Sequence, residues 1–215
     1  MFFLPDPSVM LAFAVATFVI AITPGPDMAL QMSRAINHGF WHGIACGLGA
    51  MSGIVVHTAF AALGISVLIV AAPPLFLALK IAGALYLLWL AWQAVTQGGG
   101  LRLAPPGTSR APSLLRSYLT GVGINLLNPK VVLFFMTFLP QFVDAHDPAA
   151  TQKLFFLGAE FILVSLPLMV LTVAFAQLIA EAFRRTKWVE RAINWGFAAV
   201  FTAFAATILT AQARH

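Results

Sequence analysis

Charge is what this sequence has least of. Only 9% of its 215 residues are Asp, Glu, Lys or Arg, against about 25% in an ordinary soluble domain. Seven acidic and twelve basic side chains are too few to cover a water-exposed surface. Cysteine is nearly absent as well, and the single Cys46 excludes an intramolecular disulfide. Ten-residue segments of alternating polarity, the signature of a transmembrane barrel, are missing. So is a Walker-type phosphate loop, which argues against an ATP-driven pump. No HExxH motif or Cys/His metal spacing occurs, and Gly49-Ala50-Met51-Ser52-Gly53 misses the nucleophile elbow because Ala50 takes the first glycine position. Ser52 and His57, five apart on one helix, point to opposite faces. An intramembrane aspartyl protease needs two close carboxylates, and only Asp27 and Glu160 are available. Enzyme chemistry, cofactors and metal ions therefore have no residues behind them.

Apolar residues are what the sequence has in excess. They make up 60% of it, with nineteen Phe, five Trp and a mean hydropathy of +0.92. A helix needs about 20 apolar residues to cross a hydrocarbon core of about 30 Å. Apolar runs at 8–30, 44–70, 75–96, 116–140, 154–180 and 192–212 meet that length. Breaks fall at Asn37-His38-Gly39, Pro73-Pro74, the Gly/Pro-rich stretch 97–113, Asp144 to Pro148, and Arg184 to Arg191. The expectation is an all-α membrane protein with six transmembrane helices.

The net charge of +5 is spread over the ends of apolar runs, so it sets orientation and does not form a nucleic-acid patch. Loops one, three and five carry Arg34, Arg102, Arg110, Arg116, Arg184, Arg185, Lys187 and Arg191, whereas the opposite side carries only Lys153 and Arg214. Odd-numbered loops are then cytoplasmic and both termini periplasmic. Trp41, Trp92 and Trp188 lie near the same cytoplasmic ends, as interfacial anchors do. Lys80, near the outer end of span three, is placed to snorkel. The N-terminus has no Lys or Arg before its apolar run, so no cleaved signal peptide is expected.

A cytoplasmic linker at 97–115 divides the chain into blocks 1–96 and 116–215 of three spans each. Three is odd, so the second block enters from the opposite side, which is the arithmetic of an inverted repeat. Span one breaks at Thr23-Pro24-Gly25-Pro26-Asp27 and span four at Asn128-Pro129-Lys130. Each proline removes a backbone N–H and clashes with the carbonyl four residues earlier. Such irregular backbone is tolerated at membrane depth only where protein or water surrounds it. Helix ends with opposite partial charges then face the break. A small charged ligand can bind there, as in transporters with discontinuous helices. Pro167 in span five, alone, reads as a packing kink.

Each break is followed by a charge, Asp27 or Lys130, and an ionisable group inside a membrane marks either a pair or a pathway. Asp27 can hold a ligand ammonium, accept a proton or neutralise Lys130; Lys130 can hold a carboxylate or neutralise Asp27. A permanent ion pair locking the two halves and a substrate site both fit. Asn125 and Asn128 face or cap the fourth break. Glu160 and His57, buried in spans five and two, are candidate proton carriers. Gly43, Gly47, Gly49 and Gly53 form overlapping small-residue patterns that suit close helix packing within the protein or between subunits of a homo-oligomer.

These residues resemble the LysE/RhtB-type amino-acid exporters of bacteria. The resemblance covers essentially the whole chain. It is carried by Thr23-Pro-Gly-Pro-Asp27 and by Asn128-Pro-Lys130 with Phe134-Phe135 and Pro140-Gln141-Phe142. Asn37-His38-Gly39, the stretch from Gly43 to His57 and Lys80 to Leu87 support it. It implies six helices in the bacterial inner membrane and proton-driven export of amino acids or close relatives. The family's marked positions map to Pro24, Gly25, Pro26, Asp27, Asn128, Pro129 and Lys130. The expected partners are an amino-acid substrate, protons and the lipid bilayer. A passive small-solute channel and a membrane scaffold without flux are the other two classes the sequence leaves open.

Overall fold

The computed structural model describes residues 4–65, 111–144 and 147–185 continuously, with scattered helical positions between 74 and 96 and between 188 and 206. Lys80, the connector at 97–110 and most of expected spans three and six lie outside the described residues. Among the described residues all regular structure is helical.

Proline and glycine set the helix boundaries. Helix α1 (Pro7–Ile22) starts with a proline, whose missing N–H costs nothing in a first turn. It stops at Thr23, extended at φ −68°, ψ 119°, because Pro24 disfavours the helical region for the residue before it. Helix α2 (Pro26–His38) restarts after an extended Gly25, again with proline in the first turn. It ends at Gly39, whose φ of +96° suits a residue without Cβ. Helix α3 (Phe40–Phe60) continues through a π-turn at Ala61–Ile65.

Helix α4 (Leu114–Leu126) begins two residues before the apolar run suggests, because the Ser113 hydroxyl accepts the Arg116 N–H at 3.1 Å and caps it. Asn128 caps α5 (Pro129–Leu133) in the same way, accepting the Lys130 N–H at 3.0 Å. The chain continues through a π-turn at Phe134–Phe138 and a 3-10 turn at Leu139–Phe142. Helix α6 (Ala150–Ala174) runs through Pro167 without ending there, and α7 (Ala176–Arg185) follows it.

Two stretches, Phe40–Gly64 and Ala150–Ala174, are long and apolar enough to cross a membrane unaided. The pairs α1–α2 and α4 with Pro129–Phe142 qualify as broken spans, bent by 54° and 52°. Two to four candidate spans therefore occur among the described residues, with bends where the sequence places its breaks.

Helix α3 is the central post, packed against α2, α4 and α6. Its closest approach is to α4, where backbone meets backbone. A Cβ on Gly49 would lie 2.0 Å from the Tyr118 carbonyl oxygen, and one on Gly121 2.0 Å from that of Cys46. The Ser52 and Tyr118 hydroxyls, 2.7 Å apart, fasten the same seam. Gly43 and Gly47 admit Val173 and Met169 of α6. The small-residue pattern of span two is thus used inside the chain.

One aromatic cluster fills the space beyond the two breaks. Phe134 contacts Phe13 with ring centroids 5.9 Å apart and Phe161 at 5.5 Å, while Phe135 lies 5.1 Å from Phe161. On α1 the buried face carries Phe13, Ala16, Thr17 and Ile20, and the opposite stripe of Leu11, Val15, Phe18 and Ile22 is exposed. In water such a stripe would drive aggregation; against lipid tails it is at home.

Candidate functional site at the two helix breaks

The two breaks come together at Gly25. A Cβ built there would sit 2.9 Å from Lys130 Nζ and 3.2 Å from Asp27 Oδ1. Only glycine leaves the ammonium and the carboxylate this close to the unwound backbone. Asp27 lies in the first turn of α2, where the helix end carries partial positive charge and favours a carboxylate. Lys130 lies in the first turn of α5, the wrong end of its own helix for a cation. Its ammonium instead crosses to the end of α1 and donates to the carbonyls of Thr23 at 2.9 Å and Ile20 at 3.3 Å. Those carbonyls belong to the last turn of α1, where partial negative charge collects.

Asp27 is held from the other break. Asn128 Nδ2 donates to its Oδ1 at 2.8 Å and Asn125 Nδ2 to its Oδ2 at 3.3 Å. Asn125 and Asn128 are both buried, as is Lys130. Asn125 is fixed in turn by Gly53, where a Cβ would lie 2.4 Å from its Oδ1. His57 Nε2 donates to the Asn125 carbonyl at 3.2 Å, which requires the imidazole proton on that nitrogen. Thr23 directs its hydroxyl back to the Val19 carbonyl at 2.7 Å. Pro24, Pro26 and Pro129 act through the backbone they bend.

Bonding capacity is left over. An ammonium has three donors and a carboxylate about four acceptor sites; among the described residues two donors of Lys130 and two sites of Asp27 are used. Asn125 Oδ1 is buried and bonds to no described residue. One cationic donor, two anionic acceptor sites and a free amide oxygen suit a small molecule carrying both charges.

A cavity of about 60 Å³ opens on these groups, room for several waters. Asp27, Asn125 and Lys130 line it together with Gln31, Met51 and Ser165. Its course follows α3. Asn125 stands opposite Gly53 and Met169, also a lining residue, opposite Gly47, about 9 Å along a helix axis. The cavity therefore runs from the breaks towards the N-terminal end of α3, while Phe134 and Phe161 of the aromatic cluster bound it on the other side.

The structure brings Thr23, Gly25, Asp27, Asn125, Asn128 and Lys130 into one cluster and attaches His57 to it through Asn125. Glu160 stands apart, since it does not line this cavity. Its Oε2 is buried without a hydrogen-bond partner among the described residues. Sequence reasoning missed Gln31, Ser165 and Thr172, all cavity-lining. Spacing was the available signal. Gln31 is one turn after Asp27, and Phe161, Ser165, Leu168 and Thr172 recur at helical intervals on one face.

Residues 18–212 match the LysE type translocator family. The chain is 30% identical to the homoserine/homoserine lactone efflux protein of Salmonella typhimurium, over 95% of this chain and 96% of that one. It is 28% identical to the leucine efflux protein of Klebsiella pneumoniae, over 94% and 95% of the two chains. The leucine efflux protein of an Enterobacter species is 26% identical, over 91% and 92%. No solved structure matches the chain.

Proposed function

The chain belongs to the LysE type translocator family, and from that premise we propose that it exports amino acids or close derivatives across the bacterial inner membrane. A member of a translocator family is a transporter and not an enzyme. The observation that carries the reading is the meeting of Asp27 and Lys130 at Gly25, each with hydrogen-bonding capacity unspent. Asp27 engages the substrate ammonium and Lys130 its carboxylate, with Asn125 Oδ1 as a further acceptor. The similar Salmonella and Klebsiella proteins are named for efflux of homoserine, its lactone and leucine, which supports an α-amino-acid substrate.

Six spans in two inverted three-helix repeats account for the paired bends of 54° and 52°. With odd-numbered loops cytoplasmic and both termini periplasmic, the cavity extends from the breaks towards the cytoplasmic end of α3, and the aromatic cluster lies on the periplasmic side. That is the loading state of an exporter. The exposed Trp41, Trp92 and Trp188 suit interfacial anchors, and the Lys and Arg asymmetry of the loops supports the orientation. Export is driven by the proton gradient, with Asp27, His57 and Glu160 as carriers.

Flux from proteoliposomes preloaded with mixed amino acids, under an imposed pH gradient, tests the reading. Wild type should release one or a few amino acids in a gradient-dependent way, and Asp27→Asn should release none. Equal leakage from both proteins, indifferent to the gradient, would favour a passive channel and sink the exporter.

A further inference from the structure

Of the described residues lining the cavity, only Asp27 and Lys130 are ionisable, and both face the helix breaks. Beyond them the wall is made of flexible apolar side chains, Met28, Met51, Leu168 and Met169. Thioether chains adapt to occupants of different shape. A second charge on the substrate would enter this region with no counter-charge, at a high desolvation cost. The region is not uniformly apolar, however. Ser165 is buried and its hydroxyl has no hydrogen-bond partner among the described residues. Gln31, also buried, lines the same stretch with its amide.

A buried hydroxyl without a partner, such as that of Ser165, is costly unless something enters the cavity to satisfy it. The Ser165 hydroxyl can both donate and accept, as can the Gln31 amide. Ser165 is on α6 and Gln31 on α2, so an occupant reaching past the charged centre meets one from each wall.

Resting on the proposed export of amino acids, we propose that this stretch is the side-chain subsite. It selects amino acids with an uncharged side chain, and Ser165 with Gln31 favours those ending in a hydroxyl or amide. The charged centre reads the part all amino acids share. The Met-lined stretch, with Ser165, Gln31 and the more peripheral Thr172, reads what distinguishes them.

The test is efflux of threonine, glutamine, leucine, lysine and glutamate from proteoliposomes of wild type, Ser165→Ala and Ser165→Thr. Wild type should release the three neutral amino acids and retain lysine and glutamate. Ser165→Ala should lower the threonine-to-leucine and glutamine-to-leucine rate ratios by about three- to tenfold, the size of one lost hydrogen bond. Ser165→Thr, which keeps the hydroxyl, should restore them. Lysine or glutamate leaving as fast as the neutral amino acids, or ratios unmoved in Ser165→Ala, overturns the subsite and leaves amino-acid export standing. If wild type releases no amino acid at all, the proposed function fails and this assignment fails with it.

Discussion

The two helix breaks reach almost the same bend, 54° and 52°, by different means. The first is built from backbone: Pro24 and Pro26 flank Gly25, and its helix restarts without a side-chain cap. The second is built from side chains: Asn128 caps its own helix through the Lys130 N–H and bonds Asp27 as well. Dependence between them is lopsided. Lys130 of the second break satisfies the carbonyls that the first break leaves free, and Asn125 and Asn128 hold the first break's carboxylate. Two equally bent segments can thus differ in self-sufficiency, with the more polar one completing the other.

The largest effect expected from this difference separates the two charges. Lys130→Met strips the ammonium from two carbonyls of the first break, a loss of about 3–5 kcal/mol for two hydrogen bonds from a charged donor. Asp27→Asn leaves the Lys130 bonds to α1 intact and should cost about 1–3 kcal/mol. Thermal melting in detergent would rank them, and a larger loss in Asp27→Asn would break the comparison. A smaller effect sharpens it. Asn128→Ala removes a cap and one bond to Asp27, costing about 1 kcal/mol, and efflux should fall alongside the melting temperature. Melting unchanged within error would mean that the second break does not depend on its cap.

The smallest effect lies outside both breaks and serves as their control. In the loop before α6, Asp147 accepts from Lys153 Nζ and from the Ala149 N–H. The Lys153 hydrogen bond, then the Ala149 one, holds its carboxyl below the usual carboxylate range. A depressed value means that the stabilisation is present above the unfolded pKa, near ~3.9, and is lost as pH falls through the lower folded value. The melting difference between wild type and Asp147→Asn should be constant from neutral pH down to about 4 and shrink below it. A difference that instead grows below that pH would overturn the assignment.

Much of the site was legible in the sequence because its cause is local. Pro24, Pro26 and Pro129 break helices wherever they sit, and charges after breaks inside apolar runs are conspicuous. Gly121 and Gly158 were not legible. Their need for a missing Cβ arises only from the Cys46 carbonyl at 2.0 Å and the Thr58 side chain at 2.3 Å, residues remote in the chain. The aromatic cluster was equally hidden, since nineteen Phe give no hint that Phe13, Phe134, Phe135 and Phe161 converge.

By itself the sequence determined a helical, membrane-crossing chain, the two places where its helices break, and the opposite charges that follow them. Composition decides the first through the cost of exposing apolar surface, and proline decides the second through a missing N–H. The tertiary structure alone decided that Lys130 serves the carbonyls of α1, that Asn125 and Asn128 hold Asp27, and that Gln31 and Ser165 look into the same cavity. Each of those depends on which elements meet across α3. That follows from backbones approaching where glycine leaves no Cβ, a matter of packing between residues distant in the chain.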